Sequence, residues 1–362
     1  MITLKQLQSK IVSLFQYKKS ERTWHIPFLA SLCVGIPLFI GCYFDKPTNG
    51  ITASIGGLVF LYLPSSSLAR RMVTVLACSF GFVFAFTIGV LFSFNPYLSS
   101  LVLGLFAAFV HWVSRFYQLK PPGNFFFIMI ASIASCMPFN LEIIPVKVGL
   151  IAMGTMLACM IAFIYSILLT KGTLFKSEFV VVVQKNYSTI FEAVIIGFFM
   201  SLSLLTGLLL KLDNPYWIPI SCAAVIQGVT LEQIWRRTFQ RILGTFLGLG
   251  LTWLLLGLKL NLFWICFCIM AFQFVVETLI VRQYALTIIF MTPLTIFLAD
   301  IGNSIPIDPN GLIAARFFDI VIGSFIGGFA GWLLHHRYLR DKSEKQIRKT
   351  RIAICRNRVT YF

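Results

Sequence analysis

Apolar residues along this chain come in long runs, separated by short stretches rich in Lys, Arg, Asn and Pro. A helix needs ~20 apolar residues to cross the hydrocarbon core of a bilayer. Runs of that order predict spans over 26–44, 72–94, 97–116, 123–139 and 146–169 in the first half. In the second half they predict spans over 188–210, 238–258, 261–280, 284–299 and 313–335. Two further runs, 50–63 and 216–229, are too short for a full crossing. They hold the second place in each group of six, where short segments at matching positions point to a central binding site. The pattern predicts an all-α integral membrane protein of about twelve spans, built as two six-helix repeats with one short or broken helix per repeat. The expected organisation is a basic amphipathic segment over 1–25, a first repeat over 26–169 and a linker over 170–187. A second repeat over 188–335 and a basic tail over 336–362 follow.

The order of features recurs at a fixed interval. Arg70 and Arg71 open a long run, and Arg236 and Arg237 open another at the same place in the second half. The step from Arg70 to Arg236 defines the repeat interval. Arg115 finds its counterpart in Arg282, a single position past that interval. Both groups enter the bilayer in the same direction, so the copies read as parallel repeats around a cavity.

Charge gives the orientation. With both termini in the cytoplasm, the outer side receives only Lys46, Lys147, Lys211, Lys259 and Arg316 of the 30 Lys and Arg residues. That asymmetry follows the positive-inside rule and predicts a multi-pass protein of a bacterial inner membrane. The net charge of +17 therefore marks topology and gives no reason to expect nucleic acid. Only 12% of residues are charged, against about 25% in soluble domains. Nine Cys lack any ligand spacing with His and read as small apolar fillers. There is no Gly-rich phosphate loop, His-Glu-x2-His or Gly-x-Ser-x-Gly, so no cofactor, metal or enzyme activity is expected.

Charges inside spans face a partner or a wet cavity. Arg316 and Asp319 lie three apart on the last span, within reach of an ion pair. They read either as an anion-contacting, proton-sensitive pair or as a snorkelling Arg with its neutralising Asp. Glu192, one turn into the seventh span, reads as a proton carrier or as a residue favoured by the helix dipole. Arg236, Arg237 and Arg241 either fix orientation or line a basic vestibule that concentrates anions. Glu277 is expected to pair with Arg236 or Arg237. Tyr216, Trp217 and Pro219 open the short eighth run, as an interfacial belt or as part of a path. Pro293, after Thr292, removes a backbone bond in mid-span and frees a carbonyl.

Tyr216–Trp217–x–Pro219, followed by Arg236–Arg237–x3–Arg241–x2–Gly244–Thr245–x2–Gly248, resembles the core signature of the fusaric acid resistance / aromatic acid exporter family. Tyr284 with Thr292–Pro293–Leu294, and Arg316–x2–Asp319–x3–Gly323–x3–Gly327, carry the same resemblance, which covers 204–334. The first copy is a weaker match, through Pro121–Pro122–Gly123 and the Arg70–Arg71 loop. The resemblance implies a secondary transporter that exports aromatic or hydrophobic organic anions, driven by protons. Its implied partners are the lipid bilayer, a small organic anion and protons, with a homo-oligomer among the expectations. The chain departs from larger members in its short linker and tail, which stand where those carry sizeable cytoplasmic domains. It also has Gln283 where the family often has Asn. A passive organic-anion channel of similar plan and a membrane scaffold without transport are the alternatives.

Overall fold

Residues 22–119, 121–169, 187–258, 260–302 and 309–336 are described by the structure, a computed structural model. Most of the basic segment 1–25, the linker and the tail lie outside the described residues. Among the described residues there are twelve α-helices and no strand. The first six are α1 (His25–Tyr43), α2 (Pro47–Gly57, continued by a 3-10 turn over Leu58–Tyr62), α3 (Leu68–Leu91), α4 (Pro96–Phe116), α5 (Phe125–Ser135) and α6 (Ile144–Leu169). The second six are α7 (Tyr187–Leu209), α8 (Trp217–Ile226), α9 (Leu231–Gly257), α10 (Leu262–Leu279), α11 (Tyr284–Gly302) and α12 (Pro309–His335).

Local signals set the ends of these helices. Pro47 and Pro96 occupy first-turn positions, where the missing N–H has no intrahelical acceptor. Asn95 caps α4 by accepting from the N–H groups of Tyr97 and Leu98, and Asn261, at the repeat interval from it, caps α10 through Trp264. The C-termini of α1 and α7 also match at that interval. Asp45 and Lys211 both take left-handed backbone, with φ of 53° and 50°. One residue later, Lys46 N–H donates to the Gly41 carbonyl and Leu212 N–H to that of Gly207.

Eight helices (α1, α3, α4, α6, α7, α9, α10 and α12) are long and apolar enough to cross a membrane, so the protein is a multi-pass helical membrane protein. The other four are the second and fifth of each set. The α2 and α8 stretches are short as the sequence predicts. The fifth helix is shorter than its apolar run 123–139 mainly because it ends at Ser135, ahead of Pro138, leaving 11 residues, or about 16 Å of rise. In the second set, the apolar part of α11 covers Tyr284–Leu298.

Both sets pack by one scheme. The sixth helix lies on the second and third, and the third on the fifth, in each set. Between sets, α4 packs on α7 and α10 on α1, which is the same pair of places taken both ways round. Likewise α5 packs on α8 and α11 on α2. The short helices therefore pair crosswise, second against fifth. Close crossings rest on glycine: a Cβ at Gly154 would strike the Ala53 carbonyl, and one at Gly323 the Ile218 carbonyl.

A buried aromatic cluster fills the first set, with Phe60, Tyr62, Phe82, Phe86 and Phe127 at its centre. The buried polar side chains of that set, among the described residues, are all Ser or Thr. In the second set they include Arg241, Arg316, Asp319, Glu277 and three glutamines, Gln240, Gln273 and Gln283.

A candidate anion site along a half-length helix

On α8, Trp217, Ser221 and Ala224 recur at intervals of four and three residues, so they form one stripe along the helix. An arginine meets each point of that stripe. Arg316, from α12, lays its guanidinium carbon 3.2 Å from the centroid of the Trp217 ring. Arg241, from α9, donates through Nη2 to Ser221 Oγ at 3.2 Å. Arg237, one turn earlier on α9, donates through Nη1 to the Ala224 carbonyl at 3.3 Å.

The supporting side chains come from α11. Tyr284 hydroxyl accepts from Arg241 Nη1 at 3.3 Å, and its ring lies 5.3 Å from the Arg237 guanidinium carbon. Arg316 Nη2 donates to Thr295 Oγ1 at 3.0 Å, and that hydroxyl donates in turn to the Thr292 carbonyl at 2.9 Å. Arg241 and Arg316 are 3% and 6% exposed. Arg241 Nε and Arg316 Nε and Nη1 are buried and make no hydrogen bond. Nor does Asp319 Oδ1, on a side chain 1% exposed. The Tyr216 ring lies 4.9 Å from that of Trp217, tilted by 42°, and Pro219 is buried in the first turn of α8, where its missing N–H breaks no bond.

Sequence reasoning placed these residues singly, and the fold brings most of them together. Tyr216, Trp217, Pro219, Arg237, Arg241, Tyr284, Arg316 and Asp319 share the crossing of α8 with α9, α11 and α12. Arg236 stands next to Arg237, half-buried. Thr292 and Pro293 serve the neighbouring α9–α11 contact. A Cβ at Gly248 would lie 2.7 Å from the Ile289 carbonyl, the group whose helical donor Pro293 lacks, and 2.7 Å from Thr292 Cβ. Glu192 lies apart, on the α4–α7 seam, where Arg115 Nη2 donates to it at 2.9 Å. Two expected pairings do not form. Among the described residues no ion pair joins Arg316 to Asp319, because the guanidinium turns to Trp217 and Thr295. Glu277 pairs with Arg22 at 3.3 Å and not with Arg236 or Arg237. Ser221 and Thr295 were missed. The signal for Ser221 is its place one turn after Trp217 on the stripe.

These features define a multi-pass helical membrane protein with a buried basic stripe along a half-length helix. Residues 193–330 match a family model described as fusaric acid resistance protein-like. That range holds every residue of the stripe and overlaps the stretch 204–334 over which the motif resemblance runs. The chain is also 35% identical over 133 residues to an uncharacterized membrane protein, YvaC, of Bacillus subtilis. The match covers 37% of this chain and 21% of that protein, so the chain spans about a fifth of the length of the curated relative it matches. No solved structure matches.

Proposed function

We propose that the protein is a secondary transporter that exports aromatic or hydrophobic organic anions across a bacterial inner membrane at the expense of the proton gradient. One observation carries this reading. Two buried guanidiniums with unpaired N–H groups stand on the same face of α8, with Arg237 one turn further along. Burying a guanidinium without a carboxylate costs several kcal/mol, and a visiting anion offsets that cost. Spent N–H groups would suit a purely structural arginine better.

The stripe also suggests the order of events. The Arg236–Arg237 end faces the cytoplasm under the charge asymmetry and collects the anion. Arg241, about one helical turn deeper, receives it next. Arg316 holds it at the far end, where the Trp217 and Tyr216 rings accommodate an apolar or aromatic body. Asp319, one turn from Arg316 toward the cytoplasmic end of α12, is the proton-carrying group. Its carboxylate and the anion carry like charge beside the same guanidinium, so the protonation state of Asp319 sets how tightly the anion is held.

Purified protein in liposomes tests this directly. A radiolabelled hydroxybenzoate is loaded inside and a pH difference is imposed. The expected result is flux that rises with the pH difference and is lost in Arg241→Gln and Arg316→Gln. Asp319→Asn is expected to keep passive exchange and lose the response to pH. Flux that follows only the anion's own gradient would identify a channel. No flux with any of a panel of aromatic, phenolic and aliphatic anions would refute transport.

A further inference from the structure

Two seams join the first six helices to the second, and an ion pair of opposite polarity sits at the same end of each. On the α4–α7 seam the fourth helix is basic. Arg115 places Nη2 2.9 Å and Nε 3.3 Å from Glu192 Oε2, and His111 Nε2 lies 3.5 Å from the same oxygen. On the α10–α1 seam the fourth helix of the set is acidic. Glu277 receives Arg22 Nη1 at Oε2, 3.3 Å away, and at its backbone carbonyl, 3.2 Å away. Gln273 Nε2 supports the other carboxylate oxygen at 3.4 Å. His111 and Glu277 are counterparts at the repeat interval, the one that relates the two caps and the two Arg pairs. The basic partner thus lies on the fourth helix in one seam and just ahead of the first helix in the other.

We infer that this reversal is a pairing code, which makes each half of the chain a partner for the other half and not for its own copy. Two first halves docked by the same two-fold scheme would set Arg115 and His111 against Arg22 at both seams. Two second halves would set Glu277 against Glu192. Glu277 is buried, so a facing carboxylate there would have neither water nor a cation to offset it. Juxtaposed like charges reject a wrong partner more effectively than added attraction selects a right one. The other close contacts of the seams lack such discrimination. Gly104 meets the Gly197 carbonyl on one seam. On the other, Gly35 meets Met270, and Cys42 Sγ lies 3.0 Å from Cys266 Sγ. Small and apolar surfaces of that kind accept like and unlike halves equally. The inference is independent of what crosses the membrane.

The cysteine pair supplies the readout, because a bond between Cys42 and Cys266 forms only when the first half meets the second. The chain is interrupted once within 170–186, and the two pieces are expressed together with different tags. Copper phenanthroline and dioxygen then take two electrons and two protons from the thiols. With each piece also made in a second tag, the expected result is that a first piece captures the second piece at least about tenfold more than it captures its own differently tagged copy, and that the Cys42–Cys266 bond forms in the mixed pair. Arg22→Glu in the first piece makes its α1 end complementary to its own α4, and is expected to raise first–first pairs by about tenfold. Like pairs as abundant as mixed ones, or a ratio insensitive to Arg22→Glu, would overturn the inference. Where the pieces do not accumulate, the continuous chain decides. Glu277→Arg is expected to lower Cys42–Cys266 cross-linking severalfold and Arg22→Glu added to it to restore the yield. Failure of the double variant to recover would equally overturn the code.

Discussion

The first six helices and the last six share a packing scheme and bury different chemistry. Buried hydroxyls of the first set bond back to their own helix: Thr52 to the Thr48 carbonyl, Ser79 to Val75, Ser132 to Ile128. Ser99 and Ser79 also reach a neighbouring helix, through the Ser135 carbonyl and Cys159 Sγ, but no charge is involved. In the second set buried hydroxyls such as Thr238 and Thr252 also bond back to their own helix, but the buried arginines reach between helices, Arg241 to Ser221 and Tyr284 and Arg316 to Thr295. The counterpart of Arg241 at the repeat interval is Val75, buried in the aromatic cluster. The counterpart of α12 is α6, whose one charge is Lys147, in its first turn, with Nζ 3.8 Å from Met137 Sδ. A shared backbone plan therefore does not imply shared labour: the first set supplies an apolar buttress, and the second holds the charges against it.

The largest test of that contrast is Val75→Arg. A guanidinium among Phe side chains has no partner and costs roughly 2.5–3.5 kcal/mol or more. The expected outcome is loss of monodisperse protein on extraction into detergent. A Val75→Arg protein that extracts and melts like the parent would show that the two sets tolerate charge alike. Leucine at Gly154 or at Gly323 is expected to be as damaging in either set, since both glycines meet a backbone carbonyl that cannot move aside. Unequal damage would weaken the claim of one scheme.

Next in size is Arg316→Gln, expected to cut anion flux by about a hundredfold, as for loss of a buried charge-assisted contact. The melting temperature should stay within a few degrees, while Lys147→Gln leaves flux unchanged. A flux loss at Lys147 equal to that at Arg316 would move the site to the axis between the sets. Trp217→Ala removes a cation–π contact worth about 2 kcal/mol in a desolvated place, so roughly a thirtyfold rise in the half-saturating anion concentration is expected. Trp217→Phe should recover part of it. The smallest effect is expected for Glu192→Gln. Arg115 is 59% exposed, so solvent screens the pair and the change in stability should stay under about 1 kcal/mol by thermal unfolding.

Helices were legible in the sequence because a span is a local matter of apolar length. The shortness of α5 was less so, since the apolar run continues past Ser135 and the helix does not. The site was legible in pieces. Trp217 and Arg316 were both singled out, but they lie far apart in the chain and no spacing rule connects a ring on α8 with a guanidinium on α12. Helical spacing suggested Arg316 with Asp319, and the ring of Trp217 and the hydroxyl of Thr295 won instead. Glu277 found Arg22 from the far end of the chain, a contact that only the α10–α1 seam creates. A lone Ser or Thr in a span usually bonds its own helix, so Thr295 gave no sign of its interhelical bond, and Ser221 gave only its spacing from Trp217.

The matched helix caps have a consequence for how the halves diverged. Gly41 and Gly207, Asp45 and Lys211, Arg70 and Arg236, and Asn95 and Asn261 all keep one interval. Between the first of these landmarks and the last, neither copy has gained or lost net length relative to the other. Within that stretch the difference in chemistry is carried by side chains at matched positions, and a segment exchanged between the copies keeps its length but meets a different join ahead of the third helix, since α9 begins three residues earlier on that interval than α3.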